Sequence, residues 1–142
     1  MSEARFRILL VEDNAGDVYL FRKALKEAQV AFDWTVLDDG AQALAFARGE
    51  GAYADAPVPD LVVLDLNLPK NEGIHVLAAI RQNPRLAAVP VIITSSSHSP
   101  RDQTETARLG IECYLRKPPD FEEFMRIGTI LREVLIRNRR ST

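Results

Sequence analysis

Five short apolar stretches, each followed by a segment with helical spacing, constrain the fold of this chain more than any other feature. The stretches lie at residues 8–11, 32–37, 61–64, 91–93 and 113–115. Three of them are continuously apolar, which is typical of strands covered by helices on both faces. Alternating strands and helices predict right-handed βαβ units that return to one sheet. We therefore predict an α/β fold with a five-stranded parallel sheet, doubly wound as (βα)5.

Helical spacing fills the intervals between the predicted strands. The first helix should begin after Asn14 as its N-cap, with Asp17 in the first turn. The last helix should begin after Asp120 as its cap, with helical spacing shown by Phe121, Phe124, Gly128, Leu131 and Leu135. We predict further helices at about 40–48, 73–82 and 101–109, the last ending at Gly110. Residues 49–59, with two glycines and two prolines, should form a surface loop.

Length and composition indicate one soluble domain. With 142 residues, we expect a single domain over 1–142, a core at about 6–137 and no separate output domain. The net charge of −2 gives no general drive toward nucleic acid. The single cysteine, Cys113, cannot form an internal disulfide, and the first residues lack the apolar segment of a signal peptide. Both features favour a cytoplasmic location, and because no apolar run approaches the roughly 20 residues of a spanning helix, we predict no membrane segment.

Polar residues follow four of the predicted strands. The four segments are Glu12-Asp13-Asn14, Asp65-Leu66-Asn67, Thr94-Ser95-Ser96 and Arg116-Lys117-Pro118. Binding sites of open parallel sheets form outside the carboxyl ends of the strands, so these segments should meet. Three converging carboxylates, from Glu12, Asp13 and Asp65, would repel one another without a cation. Oxygen ligands without a histidine or cysteine cluster favour Mg²⁺.

Lys117 and a hydroxyl group would complete a phosphoryl site beside the metal. An ammonium and a hydroxyl are suitable donors to phosphate oxygens. Asp65, at the end of the presumed central strand, is then the candidate nucleophile for an aspartyl phosphate, with Lys117 as its catalytic partner. The residues alone leave open whether Thr94 or Ser95 supplies the hydroxyl. We also expect Asp65 to be open to solvent and to a donor.

In these motifs the chain resembles the response-regulator receiver domains of two-component signalling, which have a flavodoxin-like, CheY-like fold. The resemblance covers nearly the whole chain. It implies that Asp65 is the phosphoacceptor and that Asp13, Asp65 and the backbone carbonyl of Asn67 ligate Mg²⁺, with Glu12 acting through water. It favours Ser95 as the switch hydroxyl, because Ser95 lies 30 residues after Asp65.

The resemblance also implies a switch and a partner surface. Lys117 would contact the phosphoryl oxygens, Ser95 would move toward them, and Tyr114 would rotate inward. The bond between Lys117 and Pro118 would be cis. Such a protein is not an enzyme in the ordinary sense, because it catalyses only its own phosphorylation and dephosphorylation.

Several segments, among them "VEDNAGD" and "CYLRKPPD", are similar to single-domain receivers paired with phytochrome-type histidine kinases. The implied partners are a histidine kinase of that type and an unknown downstream protein. We also predict a homodimer through the last helix and strand, because several apolar residues there should lie partly off the core stripe: Ile127, Ile130, Val134 and Ile136.

Three other functions fit parts of the pattern. A haloacid-dehalogenase-like aspartyl phosphatase would need a titrating acid two positions after its nucleophile, where this chain has Asn67. A flavodoxin-like nucleotide binder would need a first loop without the acidic pair Glu12-Asp13. A module that signals without phosphorylation would not need the complete set. We interpret His75 and His98 as surface residues, and Cys113 as a small apolar filler.

Overall fold

The computed structural model describes residues 5–69, 72–97 and 99–140. Its strands and helices alternate as predicted: β1 (Phe6–Val11), α1 (Ala15–Glu27), β2 (Phe32–Leu37), α2 (Gly40–Arg48), β3 (Leu61–Asp65), α3 (Glu72–Gln82), β4 (Val91–Ser95), α4 (Pro100–Leu109), β5 (Cys113–Arg116) and α5 (Phe121–Arg140). The five strands form one sheet in the order β2-β1-β3-β4-β5, and every neighbouring pair is parallel. The predicted doubly wound (βα)5 fold is therefore confirmed.

Each face of the sheet has its own apolar cluster. The cluster on the α1/α5 face joins Phe21 and Phe124 to alternate strand residues such as Leu10. The cluster on the opposite face joins the strands to α2 and α3, and Leu109 at the end of α4 packs against its edge. All five residues of β3 are buried, as its central position requires. In α4, Thr106 is the only residue that is fully buried within the described chain.

Helices α1 and α5 approach each other unusually closely. The rings of Phe21 and Phe124 meet edge to face with their centroids 5.0 Å apart. Gly128 lies so close to α1 that a Cβ atom added to it would be 2.1 Å from the carbonyl oxygen of Ala24. Glycine at position 128 therefore permits this crossing.

Most predicted helix ends are confirmed. The side chain of Asn14 accepts a hydrogen bond from the Asp17 amide, and Asp120 accepts one from the Glu123 amide. Gly110 follows α4 with a φ of 93°, a conformation that favours glycine. The loop prediction for residues 49–59 was incomplete, because Gly51–Tyr53 forms a short 3₁₀ helix.

Two other expectations were wrong. The peptide bond between Lys117 and Pro118 is trans, the form that X-Pro bonds favour by roughly 0.5–1 kcal/mol without a tertiary constraint. Ile127 and Val134 lie in the core beneath α5 rather than off its stripe. Only Ile130 and Ile136 of the proposed dimer residues are partly exposed.

Candidate functional site

The carboxyl ends of β1, β3 and β5 bring Glu12, Asp65 and Lys117 to one side of the sheet. Each of these residues lies two positions beyond a strand residue that belongs to, or packs against, the apolar cluster on the α1/α5 face. Because side chains alternate along a strand, all three point toward that same face. The parallel register then places them beside the N-terminus of α1.

Glu12, Asp13 and Asp65 form the acidic cluster predicted from the sequence. One carboxylate oxygen from each lies within 4.8 Å of the others, with Glu12 and Asp65 buried and Asp13 exposed. Three oxygen donors of this kind fit a hard divalent cation such as Mg²⁺, and the exposed side leaves room for retained waters. The residues present therefore fit the metal that the sequence predicts.

Lys117 compensates the charge of this cluster. Its Nζ atom lies 2.6 Å from Glu12 Oε1, 2.9 Å from Asp17 Oδ2 and 3.2 Å from Asp65 Oδ2. Burial alone would lower the pKa of Lys117, but hydrogen bonds to Glu12 and Asp17 and the charge of Asp65 raise it overall. Lys117 is therefore a permanent cation at the centre of the site.

Glu12 is the most deeply buried carboxylate of the site. Burial raises its pKa to about 7, an effect that neighbouring Asp65 increases and Lys117 opposes. Its second oxygen, Oε2, accepts a hydrogen bond of 3.1 Å from the Asn14 amide. Glu12 is therefore less accessible from solvent than Asp13, which is exposed.

Asp65 is less open than expected from the sequence. The residue is only 2% exposed, and its Oδ1 atom accepts a 2.9 Å hydrogen bond from the Asn67 amide. Its Oδ2 atom faces Lys117 at 3.2 Å. One oxygen is thus fixed by the turn after β3, while the other lies against the ammonium of Lys117.

Ser95 and Thr94 point to opposite faces of the sheet, which distinguishes the two candidate hydroxyls. Ser95 Oγ donates a 2.6 Å hydrogen bond to the side-chain oxygen of Asn67, which also accepts 2.9 Å from the Ser96 amide. Thr94 Oγ1 is buried and has no hydrogen-bond partner within the described part of the chain. Ser95 is therefore the hydroxyl tied to the turn that follows Asp65.

Tyr114 lies on the same side of the sheet as Ser95. It is half-buried and packs against the apolar cluster of the α2/α3 face. Its hydroxyl is buried, with no hydrogen-bond partner among residues 5–69, 72–97 and 99–140. The predicted switch pair thus shares one face, whereas Glu12 and Lys117 occupy the other.

Asp17 is the site residue that sequence reasoning missed. The sequence placed it only in the first turn of α1, yet its Oδ2 atom is as much a partner of Lys117 as the strand-end acids are. The available signal was its position one helical turn after Asp13. The surface prediction for His75 is confirmed, whereas His98 lies outside the described residues.

Gly73 brings α3 against the turn that carries Asp65. A Cβ atom added to Gly73 would lie 2.8 Å from the Leu66 backbone and 3.0 Å from the carbonyl oxygen of Asp65. Only a residue without a side chain lets the helix begin so close to this turn.

No helix in the described ranges is both long and apolar enough to cross a membrane.

Comparison with known proteins agrees with this geometry. The family described as response regulator receiver domain matches residues 8–127. The chain is 39% identical over 120 residues to response regulator Rcp1 of Synechocystis sp., covering 84% of this chain and 82% of Rcp1.

Solved structures extend the likeness to the whole fold. The phosphorylated cyanobacterial phytochrome response regulator RcpA has a TM-score of 0.85 at 38% identity, covering 94% of this chain and 95% of RcpA. The Mn²⁺-bound form of Rcp1 has a TM-score of 0.80 at 37% identity, covering 89% of this chain and 91% of that one. With its sheet order, its acidic cluster and a family match over most of its length, the chain belongs to the response regulator receiver domain family.

Proposed function

We propose that this protein is a single-domain response regulator that accepts a phosphoryl group from a histidine kinase on Asp65. One observation carries the proposal. The Oδ2 atom of Asp65 lies 3.2 Å from Lys117 Nζ, and one oxygen of Asp65 also belongs to the acidic cluster formed with Glu12 and Asp13. A carboxylate between a metal-binding cluster and a buried ammonium is suited to nucleophilic attack on a phosphorus atom.

In the proposed transfer, an oxygen of Asp65 bonds to phosphorus while the bond from phosphorus to the donor's histidine nitrogen breaks. The electron pair of that broken bond stays on the imidazole. Asp13, Asp65 and the backbone carbonyl of Asn67 would hold Mg²⁺, which neutralises phosphoryl charge when bound. Lys117, whose Nζ atom faces Asp65 Oδ2 at 3.2 Å, donates to a phosphoryl oxygen.

The output in this proposal is a change of conformation in the residues of the α2/α3 face. Ser95 would exchange its Asn67 partner for a phosphoryl oxygen, and Tyr114 would follow into the space behind it. Such a switch is a population shift between two states that differ by about a few kcal/mol. The half-buried Tyr114 and the weakly anchored helix α4 support this assignment, because little packing must be broken for them to move.

The relatives suggest the input. RcpA is a phytochrome response regulator, which favours a phytochrome-type histidine kinase as phosphodonor for this chain in the cytoplasm. The downstream partner would be a protein that recognises the switched surface. We retain a homodimer through β5 and α5 as part of the proposal, now resting on partly exposed Ile130 and Ile136.

The phosphoacceptor is tested by intact-mass measurement after incubation with acetyl phosphate and Mg²⁺. We expect one added phosphoryl group, no adduct after chelation of Mg²⁺, and no adduct in Asp65→Asn. Asp38→Asn is a matched control, because Asp38 is an exposed acid directly after β2 and at the same sheet edge. An adduct that persists in Asp65→Asn would refute the assignment, and rapid release of phosphate from many small esters would favour a phosphatase instead.

The partners need separate measurements. Radiolabelled phosphoryl transfer from a purified phytochrome-type histidine kinase should reach wild type within minutes and should not reach Asp65→Asn. Sedimentation at several concentrations, with and without beryllofluoride, tests the dimer. A monomer that does not depend on concentration under both conditions would exclude it.

A further inference from the structure

Lys117 contacts three carboxylates, and only two of them come from the ends of strands. Glu12 and Asp65 come from the carboxyl ends of β1 and β3, as the fold predicts. The third partner, Asp17, comes from the first turn of α1 and lies closer to Nζ than Asp65 does, at 2.9 Å against 3.2 Å. Nζ donates hydrogen bonds to Asp17 and Asp65, and Glu12 Oε1 lies 2.6 Å away as an ion-pair partner, so three carboxylates surround the ammonium.

Local hydrogen bonds fix Asp17 in this place. The Asn14 side chain accepts a 3.0 Å hydrogen bond from the Asp17 amide, which caps α1. The Asn14 amide in turn donates to Glu12 Oε2 at 3.1 Å. Asn14 therefore connects two of the three carboxylates around Lys117, and the position of Asp17 is built into the start of the helix.

The free-energy cost of breaking the contact with Lys117 differs among the three carboxylates. Glu12 has a side chain that is 0% exposed, so without Lys117 it would be a buried charge without compensation. Asp65 would itself carry the phosphoryl group. Asp17 has a side chain that is 23% exposed, and water can replace its ion pair at low cost.

We propose that Asp17 is a positioning residue that holds Lys117 Nζ before phosphorylation and competes for it with the phosphoryl group on Asp65. This inference rests on the proposed function. A phosphoryl oxygen on Asp65 would approach an ammonium that three carboxylates already surround, and Asp17 is the partner whose displacement costs least. Asp17 thereby keeps the cation in place in the resting state and lowers the affinity of the site for the phosphoryl group.

The binding test uses Asp17→Asn, which keeps the size of the side chain and removes its charge. Titration with beryllofluoride in the presence of Mg²⁺ should show about two- to fivefold tighter binding than wild type, the range expected for loss of a partly exposed ion pair. Asp17→Glu, which keeps the charge, should restore most of the wild-type affinity. Asp38→Asn should leave affinity close to wild type, because Asp38 lies outside the carboxylates that contact Lys117 in the described residues.

A second measurement avoids metal and phosphoryl mimic altogether. The ¹⁵N ammonium signal of Lys117 in the metal-free protein, assigned by its loss in Lys117→Met, should exchange its protons with water faster in Asp17→Asn than in wild type. Thermal unfolding of the same variants separates this effect from damage to α1. A residue that only stabilised the helix would lower the melting temperature without changing ammonium exchange.

The outcomes separate this inference from the proposed function. If wild type gains no phosphoryl adduct, the proposed function fails and ammonium exchange still tests the contact. If wild type is phosphorylated on Asp65 but Asp17→Asn binds beryllofluoride no more tightly, the role of Asp17 is refuted. An equal gain in Asp38→Asn would also refute it, because bulk charge would then explain the effect.

Discussion

Ser95 and Asn67 are joined by a 2.6 Å hydrogen bond from the serine hydroxyl to the side-chain oxygen of the asparagine. The same oxygen accepts from the Ser96 amide at 2.9 Å, so the asparagine links the ends of β3 and β4. The hydroxyl proposed to respond to phosphorylation is therefore already engaged in the resting protein. Its movement must break this bond before another can form.

Replacing Asn67 with alanine tests that link. We expect Asn67→Ala to lower the free energy of unfolding by about 1 kcal/mol, because Ser95 Oγ and the Ser96 amide lose their shared acceptor. Urea unfolding measures the change. Ser96→Ala is the control, since it removes only the weaker 3.3 Å hydroxyl contact and should change stability less. Equal stability of wild type and Asn67→Ala would contradict the prediction.

Removing the cation of the site should be costly. Lys117→Met leaves Glu12 and Asp65 as buried acids without a compensating charge, so we expect a loss of about 3–5 kcal/mol in metal-free protein. Thermal and urea unfolding measure it. Adding Glu12→Gln to Lys117→Met should recover part of the loss, because it removes the most buried carboxylate. A double variant no more stable than Lys117→Met would show that Glu12 is not the source.

The contact between α1 and α5 gives a prediction about folding alone. Gly128→Ala places a methyl group 2.1 Å from the carbonyl oxygen of Ala24, and backbone atoms cannot yield as a side chain does. We expect a loss of about 2–3 kcal/mol or more in the free energy of unfolding. Thr129→Ala, at an exposed neighbouring position on α5, should have little effect. Wild-type stability in Gly128→Ala would mean that the helices separate easily.

The single cysteine provides a test that depends on pH. Burial raises the pKa of the Cys113 thiol, neighbouring Glu112 adds to this, and Arg137 opposes it. A raised pKa keeps the thiol protonated at neutral pH, so alkylation by iodoacetamide should be slow at pH 7 and should rise steeply toward pH 9. Intact mass over time measures the rate, with urea-unfolded protein as control. Equal rates for folded and unfolded protein at pH 7 would contradict the assignment.

The fold was predictable because its determinants are local and repeated. Five short apolar runs, three of them continuous, identified the strands, and the helix at residues 40–48 was predicted with the ends that Gly40–Arg48 shows. Strand alternation and parallel topology were then enough to bring Glu12, Asp13 and Asp65 together. Each of these inferences needs only the order of strands and helices along the chain and the rule that parallel strands end at the same edge of a sheet.

The features that could not be predicted from the sequence depend on how far apart the helices and strands lie in the fold. The contact of Asp17 with Lys117 joins residues 100 positions apart and follows from how α1 lies on the sheet. The burial of Ile127 depends likewise on how α5 lies against the sheet. The isomer of the Lys117 to Pro118 bond is set by surroundings, so a resemblance could suggest it but local sequence could not establish it.

The sheet lies between the two apolar clusters and separates them. Glu12, Asp65 and Lys117 are anchored on the side of α1 and α5, whereas Ser95, Tyr114 and the end of α4 lie on the other side, and the two apolar clusters share no residue within the described part of the chain. A rearrangement around α4 can therefore proceed while the packing that supports the acidic cluster stays intact. In the proposed function, the residues that receive the phosphoryl group and the surface that changes would therefore rest on different apolar clusters, with Ser95 at the end of β4 as the contact between them.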